Sequence, residues 1–282
     1  MNLGSIGEDW EKADRSGKQK LMKELAWRLP TPFEWRGMET FERWGRRTET
    51  GVFAYEGRKF VFVPGTRTTL GWNGTRLHSE LRAELLEALE EYEIDDPERF
   101  LRGILSPERE AEVGPMLVEC EPRRFSADAI EQEKAKGFRP PSENEWEYLF
   151  AAGSRSLFPW GDRFDHSLKL RHFEEETSTD AAYDLEQPNA FGIRFAGDPY
   201  VCELTSDASA AGPLLRGKGG DGGSLICGGE NALIGCLPAT LIAYRDFEQE
   251  DRADIRDSLA SYSVYRRVWE IATSRDDRAE KG

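Results

Sequence analysis

Nucleophiles and soft metal ligands are sparse in this chain and carboxylates are abundant. Its four cysteines, Cys120, Cys202, Cys227 and Cys236, form no C-x-x-C pair, so neither a dithiol redox motif nor a zinc site of that spacing is encoded. In a reducing compartment they read as thiols. The three histidines are His78, His166 and His172. Only the last two are near each other, and their spacing fits no common metal-ligand motif. The residues Gly217 to Ser224 are rich in glycine, but no Gly-Lys-Ser/Thr follows, so a phosphate-binding loop is not expected. The acidic residues do cluster. Glu174, Glu175, Glu176, Asp180 and Asp184, with Glu186 beside them, form a rim that would attract a basic protein surface, less strongly in high salt. They are the candidate binding residues.

The overall charge points the same way. A net charge of −15 repels phosphates, so nucleic acid and an anionic membrane surface are excluded as main partners. No stretch approaches the roughly 20 apolar residues of a membrane span. The polar run from Met1 to Lys20 lacks the apolar segment of a signal peptide. The expectation is an acidic cytoplasmic protein.

The elements that must hold these residues are partly legible. Residues 8–27 read as a helix. In Arg28-Leu29-Pro30-Thr31-Pro32-Phe33-Glu34-Trp35, Thr31 is a natural N-cap, Pro32 suits the first helical position and Glu34 closes a capping box, so a second helix is expected there. Residues 52–55 and 59–64 read as strands around a turn at Glu56-Gly57. Leu77, Leu81, Leu85 and Leu89 recur every fourth residue and predict a helix over 77–93, followed by a short one over 96–104 and a strand over 116–120. Arg139-Pro140-Pro141-Ser142-Glu143-Asn144-Glu145-Trp146 repeats the earlier pattern, R-x-P-[S/T]-x-x-E-W. It predicts a helix capped by Ser142 and Glu145. Beyond residue 153 periodicity fades. Trp146 and Trp160 are expected to fill the core under long loops, and Asn189 and Asp207 to stabilise turns.

Several segments, in order, resemble the formylglycine-generating enzyme (sulfatase-modifying factor) family. Gly137-Phe138-Arg139-Pro140-Pro141-Ser142-Glu143-Asn144-Glu145-Trp146-Glu147-Tyr148 is similar to the family's R-L-P-T-E-x-E-W-E-Y-A. Phe158-Pro159-Trp160-Gly161-Asp162 is similar to Y-P-W-G-D. Pro188-Asn189-Ala190-Phe191-Gly192 and Val201 to Asp207 resemble P-N-A-F-G and the G-N-V-W-E-W-T-S-D run. Cys227-Gly228-Gly229 matches R-G-G, and Val264-Tyr265-Arg266 the terminal G-F-R. Lys59 to Gly71 resembles the opening strand. The resemblance implies an α/β (α+β), loop-rich, C-type-lectin-like fold. It gives Arg139, Ser142, Glu145, Trp146, Trp160, Asn189, Gly228 and Gly229 structural roles. The division it suggests is an N-terminal helical extension at 1–58, the family-like domain at 59–273 with a helical insertion at 72–114, and a charged tail at 274–282.

The departures from the family decide the functional reading. Its oxidases place two cysteines five apart just after R-G-G, where soft thiolates bind Cu(I). Here those positions are Leu233 and Pro238, and neighbouring registers give Ala232 and Leu237, or Ile234 and Ala239. Cys227 and Cys236 flank the segment and are the alternative catalytic pair, for a metal-dependent oxidoreductase. The family's calcium loop is also altered. Glu203 and Val201 remain as metal candidates, but Tyr200 stands where the family has asparagine and Pro199 stiffens the loop, which weakens a site that needs 6–8 oxygens. The related sulfoxide synthases draw metal-binding histidines from a helical domain, and only His78 precedes residue 166. The expectation is a pseudoenzyme without cofactor, at most a weak calcium binder, that recognises a protein partner through loops 162–187 and 205–224.

Overall fold

A computed structural model describes residues 6–73, 77–90, 92–94, 96–172, 182–209, 212–220, 232–237, 240 and 262–271. The polar N-terminal run forms two helices rather than one, α1 (Ile6–Lys12) and α2 (Arg15–Arg28). Asp14 divides them, because its carboxylate accepts from the Gly17 N–H and caps α2. Trp10, Leu21, Met22 and Leu25 pack with Phe53, Phe60 and Phe62 in one apolar cluster.

No helix starts at Thr31. Thr31-Pro32 sits in a turn with a cis peptide bond, and strand β1 (Glu34–Arg43) follows. It pairs antiparallel with β2 (Arg46–Tyr55). The connecting Trp44-Gly45 has φ of 47° and 71°, the sign pattern of the hairpin turn whose twist suits flanking strands. Glu56-Gly57, with φ of 48° and 75°, joins β2 to β3 (Arg58–Val63) in the same way. Packing explains why the capping signal fails. Phe33 meets the rings of Tyr55, Phe60, Phe138 and Trp269, and Trp35 meets Phe53. Those contacts belong to the sheet and outweigh a local helical preference.

After β4 (Thr66–Leu70) come α3 (Ser79–Glu90), α4 (Pro97–Ile104) and β5 (Arg109–Val113), which pairs back onto β4. β6 (Met116–Glu119) then returns to β3. The main sheet has the order β1-β2-β3-β6-β11, with β11 at Val268–Glu270. Two parts of the expected division therefore change. Residues 1–58 are not a helical extension, since they supply two of the five strands and position 58 lies inside a hairpin. The stretch 72–114 holds a strand as well as helices. Leu81, Leu85, Leu89 and Leu101 belong to the same buried cluster as Val61, Val63, Trp146 and Phe158, so α3 and α4 are part of the main core.

A second sheet has the order β7-β10-β8-β9, with β7 at Arg123–Arg124, β8 at Cys202–Ser209, β9 at Gly212–Gly219 and β10 at Ser263–Tyr265. β10 runs parallel to β8. Only Arg266 and Arg267 separate β10 from β11, so one short segment ties the two sheets together. Between β7 and β8 lie α5 (Ala127–Ala135), α6 (Glu143–Ala151) and, among the described residues 153–172 and 182–201, mostly irregular chain with one 3-10 turn at Asp184–Glu186. The fold is mixed α/β, and among the described residues no helix is long and apolar enough to cross a membrane.

Candidate functional site

Helix α6 organises the region. The Ser142 side chain accepts from the Glu145 N–H, and the Glu145 carboxylate accepts from the Ser142 N–H at 2.7 Å, a complete capping box. The same carboxylate takes two bonds from Arg139, at 2.6 and 2.8 Å, and Arg139 also reaches Glu270 of β11. Burial alone would raise the Glu145 carboxyl, but the hydrogen bonds and charge of Arg139, with the Ser142 bonds, hold it below its ordinary 4.5. One turn on, Trp146 is buried, stacked on Phe150 and edge-on to Phe195.

The polar face of α6 is occupied by charge. Lys218 of β9, fully buried, donates to Glu147 Oε1 at 2.7 Å and lies 3.0 Å from Glu143 Oε1. Ser106 donates to Glu147 at 2.5 Å, and Arg216 donates to Glu143 at 2.7 Å. Burial works to raise Glu143, yet Lys218, Arg216 and Arg109 bring it below the usual carboxylate range. Asp207 accepts from the Glu143 N–H. Burial lifts its carboxyl more than that bond lowers it. A carboxyl held low as Glu143 is makes a poor general acid.

The described loop residues 153–172 and 182–201 are held by side chains rather than by a strand ladder. Trp160 stacks on Phe158, and its Nε1–H donates to the Arg163 carbonyl at 2.9 Å. Asp162 accepts from the Leu157 N–H. Buried Asn189 donates to the Leu149 carbonyl at 2.7 Å and accepts from the Phe191 and Ile193 N–H groups. Asp184 accepts from the Lys169 N–H and from Arg43. It is an internal tie between the loop and β1. The other rim residues, Glu174, Glu175, Glu176 and Asp180, lie outside the described residues, as do Cys227, Gly228 and Gly229.

Both metal candidates are already engaged. Glu203 is buried, and both its oxygens accept from Arg266, Oε2 at 2.8 Å. The Val201 carbonyl accepts from the Gly220 N–H. The two weak calcium candidates are thus bonded to Arg266 and to the Gly220 backbone. Among the described residues no group of three or more His, Cys, Asp or Glu could hold a metal ion. Cys236 is buried, and desolvation pushes its thiol up to about 12. At neutral pH it is the unreactive thiol, not the nucleophilic thiolate.

The sequence reading missed the second arginine of the pair. Arg267 is wholly buried and donates to Glu119 and Glu133. Glu119, itself fully buried, also accepts from Arg58 and Arg123. Its burial raises the carboxyl, and Arg267 leads the arginines that bring it below the ordinary value. The signal was available. Two arginines interrupt the apolar run Val264 to Val268, and a glutamate interrupts Met116 to Cys120. Adjacent extended residues face opposite ways, so each arginine needs its own buried acid.

One pocket opens beside α6. Trp146, Phe150, Phe195, Leu170, Leu185 and Val201 line it, with about 480 Å³ of free space, open solvent included. The charged residues at its wall, Arg171, Asp198, Glu203 and Lys218, all have protein partners. Arg171 is bonded twice to Glu186, and Asp198 accepts from the Tyr200 N–H. Comparison of the chain with protein-family models and with curated proteins finds no match.

Proposed function

We propose that this chain is a divergent, non-catalytic member of the formylglycine-generating enzyme family that serves as a recognition module for a protein partner, contacted through the loop 162–187 and through 205–224, a stretch that holds most of the β8–β9 hairpin rather than the loop expected there. The observation that carries this reading is the way acidic groups near α6 are used. Glu143, Glu145, Glu147 and Glu203 are each committed to an internal arginine or lysine. They hold loops in place instead of facing a substrate. A rigid core displaying side-chain-braced loops is a sound platform for recognition. The net charge of −15 favours a basic partner surface. The alternative oxidoreductase reading would rest on Cys227 and Cys236, and the deep burial of Cys236 argues against it.

The test is affinity capture with the full chain, with and without Glu174, Glu175 and Glu176 changed to Lys. A specific protein should be retained by the wild type, released by rising salt and lost with the triple variant. Binding that survives the triple variant but fails when the Leu81–Leu89 helix is altered would place the surface elsewhere.

A further inference from the structure

Helix α2 turns an aromatic ring and positive charge outward from an acidic molecule. Between Arg15 and Arg28 it holds five basic residues and a single acidic one, in a chain whose net charge is −15. Leu21, Met22 and Leu25 are buried in the core on its inner side. Residues three and four apart share a helix face. Ser16, Lys20, Lys23 and Trp27 therefore form one stripe on the outer side, and all four are exposed. Trp27 is 90% exposed. The chain's other seven tryptophans are buried in, or packed against, the two large apolar clusters. Arg15 is engaged by Glu49, and Lys18 lies over the Trp10 ring. Among the described residues, no carboxylate lies within ion-pair distance of Lys20 or Lys23.

We infer that the outer face of α2 is a docking surface for an acidic protein segment that carries an apolar side chain. That side chain covers the Trp27 ring, and the carboxylates beside it meet Lys23 and Lys20. Tryptophan is among the side chains that most often anchor an interface. Charge complementarity selects the partner, because the stripe is positive while the chain as a whole is negative. A membrane surface fits less well. An interfacial helix inserts an apolar face, and the apolar face of α2 is already used in the core. The inference does not rest on the acidic loops proposed above. It concerns a surface of opposite sign, and its test reads a different signal.

The experiment titrates the full chain with a blocked peptide of repeated Glu-Glu-Leu. Trp27 emission is read as the difference between the wild type and Trp27→Phe. That emission should shift to the blue and saturate, and binding should weaken in high salt. A peptide of repeated Lys-Lys-Leu should leave it unchanged. Anisotropy of the dye-labelled acidic peptide should show binding weakened by about tenfold or more in Lys20→Glu with Lys23→Glu. Trp27→Ala should also weaken it, with native circular dichroism in both variants. If the charge reversal unfolds the helix, Lys20→Gln with Lys23→Gln is read in the same way. No response to the acidic peptide overturns the surface, as does an equal response to the basic one or unchanged binding in the variants. A Trp27 shift produced by phosphatidylserine vesicles but not by the peptide overturns it in favour of a membrane. A shift that grows with protein concentration alone overturns it in favour of a second copy of this chain.

Discussion

The segments Arg28–Trp35 and Arg139–Trp146 share R-x-P-[S/T]-x-x-E-W and end up as different structures. In the second, Ser142 and Glu145 exchange capping bonds, Arg139 clamps the Glu145 carboxylate, and Trp146 is buried against Phe150 and Phe195. In the first, Glu34 is exposed and pairs with Arg36, Trp35 is half-buried, and the chain continues as β1. A capping box satisfies two backbone groups, worth about 1 kcal/mol. It sets the outcome only when the residues after it have a face to bury as a helix. Residues 143–151 present Trp146, Leu149 and Phe150 to the core. Residues 34–43 pair with β2 at nine positions instead, around a bulge at Arg36.

This contrast can be broken at several points. The largest effect is expected for Trp146→Ala, which should lose about 3–5 kcal/mol in urea unfolding. Trp35→Ala should lose about half as much, because its ring is only half-buried. Equal losses would show that the two tryptophans are equivalent after all.

Next is Glu145→Ala, with an expected loss of about 2–3 kcal/mol, since it leaves the largely buried Arg139 without its main acceptor. Its pH dependence sharpens the point. The folded carboxyl sits below the unfolded value near 4.5, so its contribution is fully present above that pH and is lost as pH falls through the folded value. Glu145→Gln should therefore flatten the stability profile below about pH 5.

Smaller still is Ser142→Ala, at about 1 kcal/mol for a lost cap. Thr31→Ala should stay within about 0.5 kcal/mol, the range of surface positions. A loss at Thr31 matching that at Ser142 would mean the first segment populates a capped helix in solution.

What could be read in the sequence follows from the same physics. The α3 leucines, the Glu56-Gly57 hairpin and the Ser142 box are each set by neighbours within a few residues, and all three appear in the structure. β1 and the turn Trp44-Gly45 were not legible, because the strand's partners are Arg46 to Ala54 and Phe33, just before it, packs on Phe138 and Trp269 far along the chain. The engaged state of Glu203 was hidden for a like reason: its partner Arg266 is far away in sequence, and a carboxylate in a loop looks the same whether it faces a cation or a guanidinium. The acidic run 174–180 lies outside the described residues, and of the rim Asp184 and Glu186 are both tied internally, to Arg43 and to Arg171.

The two buried arginines between β10 and β11 also bear on how the chain is made. Glu119 leaves the ribosome long before Arg267, its deepest partner, which lies 148 residues away. Until that arginine arrives, closing the core around Glu119 would strand a carboxylate among apolar side chains, with only Arg58 and Arg123 to offset it. Closing the two sheets around Glu119 is therefore disfavoured until that segment has been made. Long-range closure of this kind is slow, and it makes the segment 262–271 the last piece to lock: a nascent chain stopped short of residue 267 should be a substrate for chaperones, not a shortened copy of the folded protein.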